Sequence, residues 1–194
     1  MKNLLTAFLA LLIVSSSFAQ EKAEGLFINS KIPDFRAKDQ NGNAFNLKDL
    51  RKKGNVVVVF YRGNWSPFCM RFLHKLQDSL SLITNKHASL VAITPEAQEG
   101  IDSTVKKTGA TFPIIFDEDM KITNSCQGIV KMDDRTVSRL KNSGVDILAL
   151  NHQKEATLPV PAVYILNTEG SVTFRYFEED PRKRVSVAEI VKNL

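Results

Sequence analysis

Cysteine is nearly absent from this chain: only Cys69 and Cys126 occur in 194 residues. The three histidines, His74, His87 and His152, stand at no ligand spacing from one another or from a cysteine. A metal-stabilised fold and a disulfide-dense scaffold are therefore both excluded, and neither a metal nor a cofactor is expected. One pair of cysteines still permits a single bridge in an oxidising compartment, and spacing alone leaves open whether the two meet. Long runs of one charge are missing as well. The formal net charge is +5, and Arg51-Lys52-Lys53 is a cluster of three that reads as a solvated loop, so nucleic acid is not an expected partner. Repeats and low-complexity tracts are absent.

What is present begins with a leader. Met1-Lys2-Asn3 is a short basic start, Leu4 to Val14 is almost unbroken apolar sequence, and Ser15 to Ala19 is a small-residue exit. This pattern is a secretory signal peptide over residues 1–19, with cleavage expected between Ala19 and Gln20. The apolar run is short for a membrane span. An exported protein, periplasmic or secreted, is expected. The remaining residues, 20–194, suit one domain, and 43% hydrophobic with 24% charged residues is ordinary globular composition.

Within that domain, Asn41-Gly42 between Phe35-Arg36-Ala37 and Ala44 to Leu47 predicts a hairpin. Leu47 to Leu50 suggests a short helical turn. Val56 to Tyr61 carries four valines and predicts a central strand covered on both faces. Phe72, Leu73, Leu76, Leu80 and Ile83 recur at helical spacing and predict a helix from Pro67 to about Ile83. Ser89 to Thr94 is a short apolar strand. Thr94-Pro95 reads as the cap and first position of a helix running to about Lys107, with Gly109 ending it. Pro113 to Phe116 is a strand, and Asp117 opens a helix to about Gly128. Residues 129–150 carry no clear period. Ala162 to Leu166 and Val172 to Phe177 form a second hairpin around Thr168-Glu169-Gly170, and Ser186 with Glu189 is a capping box for a terminal helix. Helices between and after strands require a sheet covered on both sides. The expected class is α/β, a mixed central sheet with helices on both faces.

The chemistry-bearing stretch is Arg62-Gly63-Asn64-Trp65-Ser66-Pro67-Phe68-Cys69. Ser66 suits an N-cap and Pro67 the first helical position. Cys69 then stands in the first turn, near unpaired amides and the positive end of the helix, surroundings that favour a thiolate. Trp65 and Phe68 are placed to wall that site, and Cys126, flanked by Ile122 and Ile129, reads either as a resolving cysteine or as a small core residue.

With the cysteine turn and the segment Leu158 to Tyr164 both in view, the chain resembles the thioredoxin-fold peroxiredoxin superfamily, and within it the AhpC/TSA (redoxin) group. The resemblance spans Ile32 to Leu194. Two mappings follow from it. Against peroxiredoxins, Ser66-Pro67-Phe68-Cys69 places a hydroxyl three residues before the peroxidatic thiol. Cys69 is then the nucleophile, Ser66 its hydroxyl partner and Arg62 the arginine, because Pro161 fills the place of the group's usual arginine. That mapping implies a hydroperoxide substrate, a thiol reductant such as a thioredoxin-like protein, and leaves a homo-oligomer open. Against dithiol oxidoreductases, Ser66 replaces the first cysteine of a CxxC pair, which ends dithiol exchange. A non-catalytic binding or envelope protein is the implied role. In that mapping Pro161 resembles the cis-proline facing the active cysteine. Arg182 and Arg184 resemble the group's basic tail region and read equally as a solvated charge run.

Overall fold

The computed structural model describes residues 22–194. The leader therefore lies outside the described residues, and no described helix is long and apolar enough to cross a membrane. A small hairpin comes first, β1 (Arg36–Lys38) and β2 (Ala44–Asn46), antiparallel, with Asp39 Oδ1 accepting from the Asn41 and Asn43 amides in the turn. Asn46 caps the short α1 (Leu47–Arg51).

The central sheet has five strands: β3 (Val56–Phe60), β4 (Ser89–Thr94), β5 (Ile114–Phe116), β8 (Ala162–Leu166) and β9 (Val172–Phe177), in the spatial order β5-β4-β3-β8-β9. The pairs β3–β4 and β4–β5 are parallel, while β3–β8 and β8–β9 are antiparallel. The sheet is mixed, as expected, because a hairpin closes it. Successive side chains of a strand point to opposite faces. Val57, Val59 and Tyr61 accordingly join one core layer, and Val56, Val58 and Phe60 join the other.

On the first face lie α2 (Pro67–Asp78), α3 (Leu80–Thr84), α4 (Gln98–Thr108) and α8 (Val187–Lys192). The buried stripe of α2 is Cys69, Phe72, Leu73 and Leu76, positions i, i+3, i+4 and i+7 of one helix face. Burying Leu73 and Leu76 fully contributes about 2 kcal/mol each. On the second face lie α1, the β1–β2 hairpin and α5 (Lys121–Ser125), with Phe35, Phe45, Leu47, Ile122 and Cys126 in the core.

Several expected elements differ in detail. The helix from Pro67 breaks at Ser79, whose ψ of 11° leaves the helical range before α3 resumes. The helix expected to open at Thr94-Pro95 begins instead at Gln98: Thr94 remains in β4, and Glu96 turns inward and is fully buried. Asp117 does act as a cap, accepting from the Ile122 and Thr123 amides, but positive φ at Asp119 and Met120 splits the element into a 3-10 turn and α5. The unassigned stretch holds β6 (Ile129–Lys131), α6 (Asp134–Asn142) and α7 (Ile147–Leu150). The strand β6 pairs antiparallel with β7 (Thr157–Pro159) in a small separate sheet. Half of the expected terminal capping box forms: Ser186 Oγ accepts from the Glu189 amide at 3.1 Å, while Glu189 Oε1 accepts from Asn193 Nδ2 at 3.0 Å.

Candidate active site around Cys69

Strand β3 and its parallel neighbour β4 end side by side, and the loop 61–66 crosses from that end into α2. Crevices outside the carboxyl ends of parallel strands are where α/β sheets hold their sites. Ser66 caps α2, its Oγ accepting from the Cys69 amide at 3.4 Å, and Pro67 occupies the start of the helix. Trp65 and Phe68 are partly buried on either side of Ser66, and Pro67 is exposed.

Cys69 itself is 0% exposed. The same face of α2 that makes it a first-turn residue makes it the first member of the core stripe. What distinguishes it from an ordinary core residue is a cation. Arg184 donates from Nη2 to Cys69 Sγ at 3.2 Å, with its guanidinium 5.9 Å from the Phe72 ring centroid. A charge-assisted bond of this kind strengthens when the sulfur is negative. The backbone holds Arg184 in place from both sides: its Nη1 donates to the Pro181 carbonyl at 2.8 Å, and the next residue, Val185, is buried in the first core layer. Arg62 is the second cation. It is 7% exposed, and its Nε donates to the Pro159 carbonyl at 3.2 Å. Burial pulls its guanidinium below the ordinary arginine range, the Cys69 charge works against that, and Arg184 adds to it. Two guanidinium groups therefore share the field of one sulfur.

The loop that carries these groups is braced from β4 and α4. Glu96, 0% exposed, accepts from the Asn64 amide at 2.8 Å and from Asn64 Nδ2 at 2.6 Å, both on Oε1. Lys107 Nζ donates to Asn64 O and Oδ1 at 3.0 and 2.8 Å. Only glycine fits at position 63: its φ is +150°, and a Cβ there would stand 2.7 Å from Glu96 Oε1. Burial raises the Glu96 carboxyl above the ordinary range, opposed by the two Asn64 bonds.

The remaining expected residues fall elsewhere. Cys126 is 1% exposed and lies in the core layer on the opposite face of the sheet; both cysteines are free thiols. Burial pushes its thiol up to about 12. Pro161 is buried between β7 and β8, and no peptide bond among the described residues is cis. The cis-proline expected from the resemblance is thus absent, and Pro161 instead offers its carbonyl to the Glu178 amide at 3.2 Å. Arg62 was the expected partner of the thiol; the guanidinium that touches it belongs to Arg184. Arg184 lies 115 positions from Cys69, and no local pattern in the sequence points to their contact. No group of three or more metal-ligating side chains gathers among the described residues.

A cysteine in the first turn after the central strand, at the carboxyl end of a mixed five-stranded sheet with helices on both faces, defines a redoxin domain of thioredoxin fold. The AhpC/TSA family model matches residues 28–175, and the chain belongs to that family. A Mycobacterium tuberculosis protein provisionally named as a peroxiredoxin is 30% identical over 101 residues, 52% of this chain and 64% of its own length. The chain thus covers less than two thirds of that relative. The thiol-disulfide oxidoreductase ResA of Bacillus subtilis is 23% identical over 150 residues, 77% of this chain and 66% of its own. Among solved structures, a cysteine-to-serine mutant of Xylella fastidiosa PrxQ superimposes with a TM-score of 0.68 at 12% identity, covering 87% of this chain and 95% of that one.

Proposed function

We propose that this protein is a thiol-dependent peroxidase of the exported space, with Cys69 as its nucleophile. The observation that carries the reading is the 3.2 Å contact from Arg184 Nη2 to Cys69 Sγ at the start of α2. The thiolate attacks one oxygen of a hydroperoxide; the S–O bond forms as the O–O bond breaks, and the departing oxygen takes up a proton to leave as alcohol or water. Arg184 and Arg62 stabilise the charge that develops on the leaving oxygen. Ser66 holds the first turn by its cap and presents its hydroxyl beside the reaction. Because Arg184 covers the sulfur, its side chain moves aside to admit the peroxide. An external thiol then returns the sulfenic acid to the thiol. Export rests on the leader at residues 1–19, and N-terminal sequencing of the mature protein is expected to begin at Gln20.

One observation favours a second reading. Cys69 has no exposed surface and its neighbour three residues back is Ser66, so a domain without catalytic turnover would carry the same residues as a packed cysteine and a plain N-cap. Intact-mass analysis separates the two. Under mild hydrogen peroxide the wild type is expected to gain one oxygen at Cys69 and the Cys69→Ser variant none. An unmodified wild type would sink the peroxidase, and thiol-driven peroxide consumption that depends on Cys69 would sink the silent domain.

A further inference from the structure

Beside Cys69, between α2 and residues 182–187, runs a groove of about 600 Å³. Its apolar wall includes Phe72 and Val185, and four cations line it: Arg71, Lys75, Arg182 and Arg184. The one lining carboxylate, Asp78, stands 3.6 Å from His74 Nε2. Arg182 is held by Asp180 at 2.9 Å, whereas Arg71 and Lys75 make no ion pair among the described residues and are exposed. A groove with this lining favours a small ligand that carries negative charge and some apolar body. The sulfur lies one guanidinium behind its wall, since Arg184 both lines the groove and touches Cys69 Sγ.

Two further facts say what such a ligand does. Cys126 sits in the opposite core layer, so the central sheet separates it from Cys69 and the second half of the reaction needs a thiol from outside. Oxidation also changes the charge of the site. A thiolate turned to sulfenic acid no longer offers Arg184 an anion, and a half-buried guanidinium without a counter-charge is costly. A carboxylate entering the groove would then be its partner, drawing it off the sulfur and opening the path to the sulfenic acid.

We infer that this groove binds a small carboxylate-bearing thiol, which is the reductant of oxidised Cys69. The inference rests on the peroxidase reading above. In the step itself the ligand's thiolate attacks Cys69 Sγ, an S–S bond forms, the S–O bond breaks, and the hydroxide leaves as water with one proton. A second thiol attacks the ligand's sulfur, releasing Cys69 and a low-molecular-weight disulfide. Two thiols thus supply the two electrons that the peroxide removed.

The test uses the mature protein, oxidised at Cys69 by one equivalent of hydrogen peroxide. The loss of the added oxygen is followed by intact mass with glutathione, which is net negative, and with its diethyl ester, which is net positive, at equal thiolate concentrations. Glutathione is expected to react about tenfold faster, and the ratio to collapse in about 0.5 M salt. In the Arg71→Glu/Lys75→Glu variant that ratio is expected to fall by about tenfold, the combined effect of two exposed charges reversed. Equal rates for the two thiols, a ratio indifferent to the charge reversal, or reduction by a thioredoxin-type protein with glutathione inert would each overturn the inference. Those outcomes all begin from an oxidised Cys69. A Cys69 that takes up no oxygen leaves a different mark and overturns both readings together.

Discussion

The two cysteines of this chain make an instructive pair, because burial does not separate them. Cys69 is 0% and Cys126 1% exposed, and each belongs to an apolar layer of the same sheet. Cys69 is the third residue of a twelve-residue helix, in its first turn, and receives a guanidinium on its sulfur. Cys126 follows the last turn of a five-residue helix, where the carbonyl ends gather, and among the described residues its sulfur has the Ser125 hydroxyl as polar partner at 4.0 Å. Desolvation pushes that thiol up to about 12, the Ser125 hydroxyl opposing it and the Asp117 charge adding to it. The two buried thiols thus differ in the groups that face them, a guanidinium for Cys69 and a hydroxyl for Cys126.

The contrast is broken most severely by removing that charge. Arg184→Ala is expected to slow peroxide oxidation of Cys69 by about 10²–10³-fold, the usual cost of deleting one preorganised donor to a developing anion. Stopped-flow rates with the variant at matched thiol concentration check this, and Arg184→Lys should recover only part of the loss. An unchanged rate would return the role to Arg62.

A smaller effect is expected from the brace behind the site. Glu96→Ala leaves the Asn64 amide and Nδ2 without their acceptor and should cost about 2 kcal/mol in chemical denaturation. Glu96→Gln keeps the acceptor and isolates the charge. Burial raises the Glu96 carboxyl, so its stabilising, protonated form is fully present below the ordinary glutamate range and lost as pH rises through the raised value. Wild-type stability is therefore expected to fall with pH across that window, and the slope to flatten in Glu96→Gln. A slope that survives there belongs to Asp117, whose carboxyl burial also raises.

The smallest changes sharpen the comparison at the cysteines themselves. Ser66→Ala removes the cap of α2 and should cost about 1 kcal/mol in urea, with Ser66→Asn restoring most of it. Cys126→Ala should cost stability of similar size from lost packing, while peroxide turnover driven by added thiol continues. Turnover that stops there would make Cys126 the resolving residue, and the separation by the sheet would then have to open during the reaction.

Much of this was legible along the chain because it depends on near neighbours. The valines of β3, the Asn41-Gly42 turn, the Ser66-Pro67 start of α2, and the Ser186 cap of α8 each depend on contacts a few residues away, and each stands where local propensity puts it. The start of α4 departs from local expectation for the opposite reason. A helix start at Thr94-Pro95 is a good local reading, but Asn64, thirty-two positions earlier, offers a partner that draws the carboxyl inward. The burial of Cys69 could have been read by extending the stripe of Phe72, Leu73 and Leu76 back by one step. Arg184 is 115 positions from Cys69, and no periodicity links the two.

The sequence by itself determined an α/β domain with a mixed sheet, one cysteine at the mouth of a helix and another among apolar residues, because capping, turn chemistry and hydrophobic period act over a few residues. Only the tertiary structure decided which arginine meets the sulfur, which carboxylate braces the loop, and that the sheet divides the two cysteines. Those depend on where β9 and the following segment return after the whole domain has packed, and on the alternation that sends neighbouring residues of β3 to opposite layers.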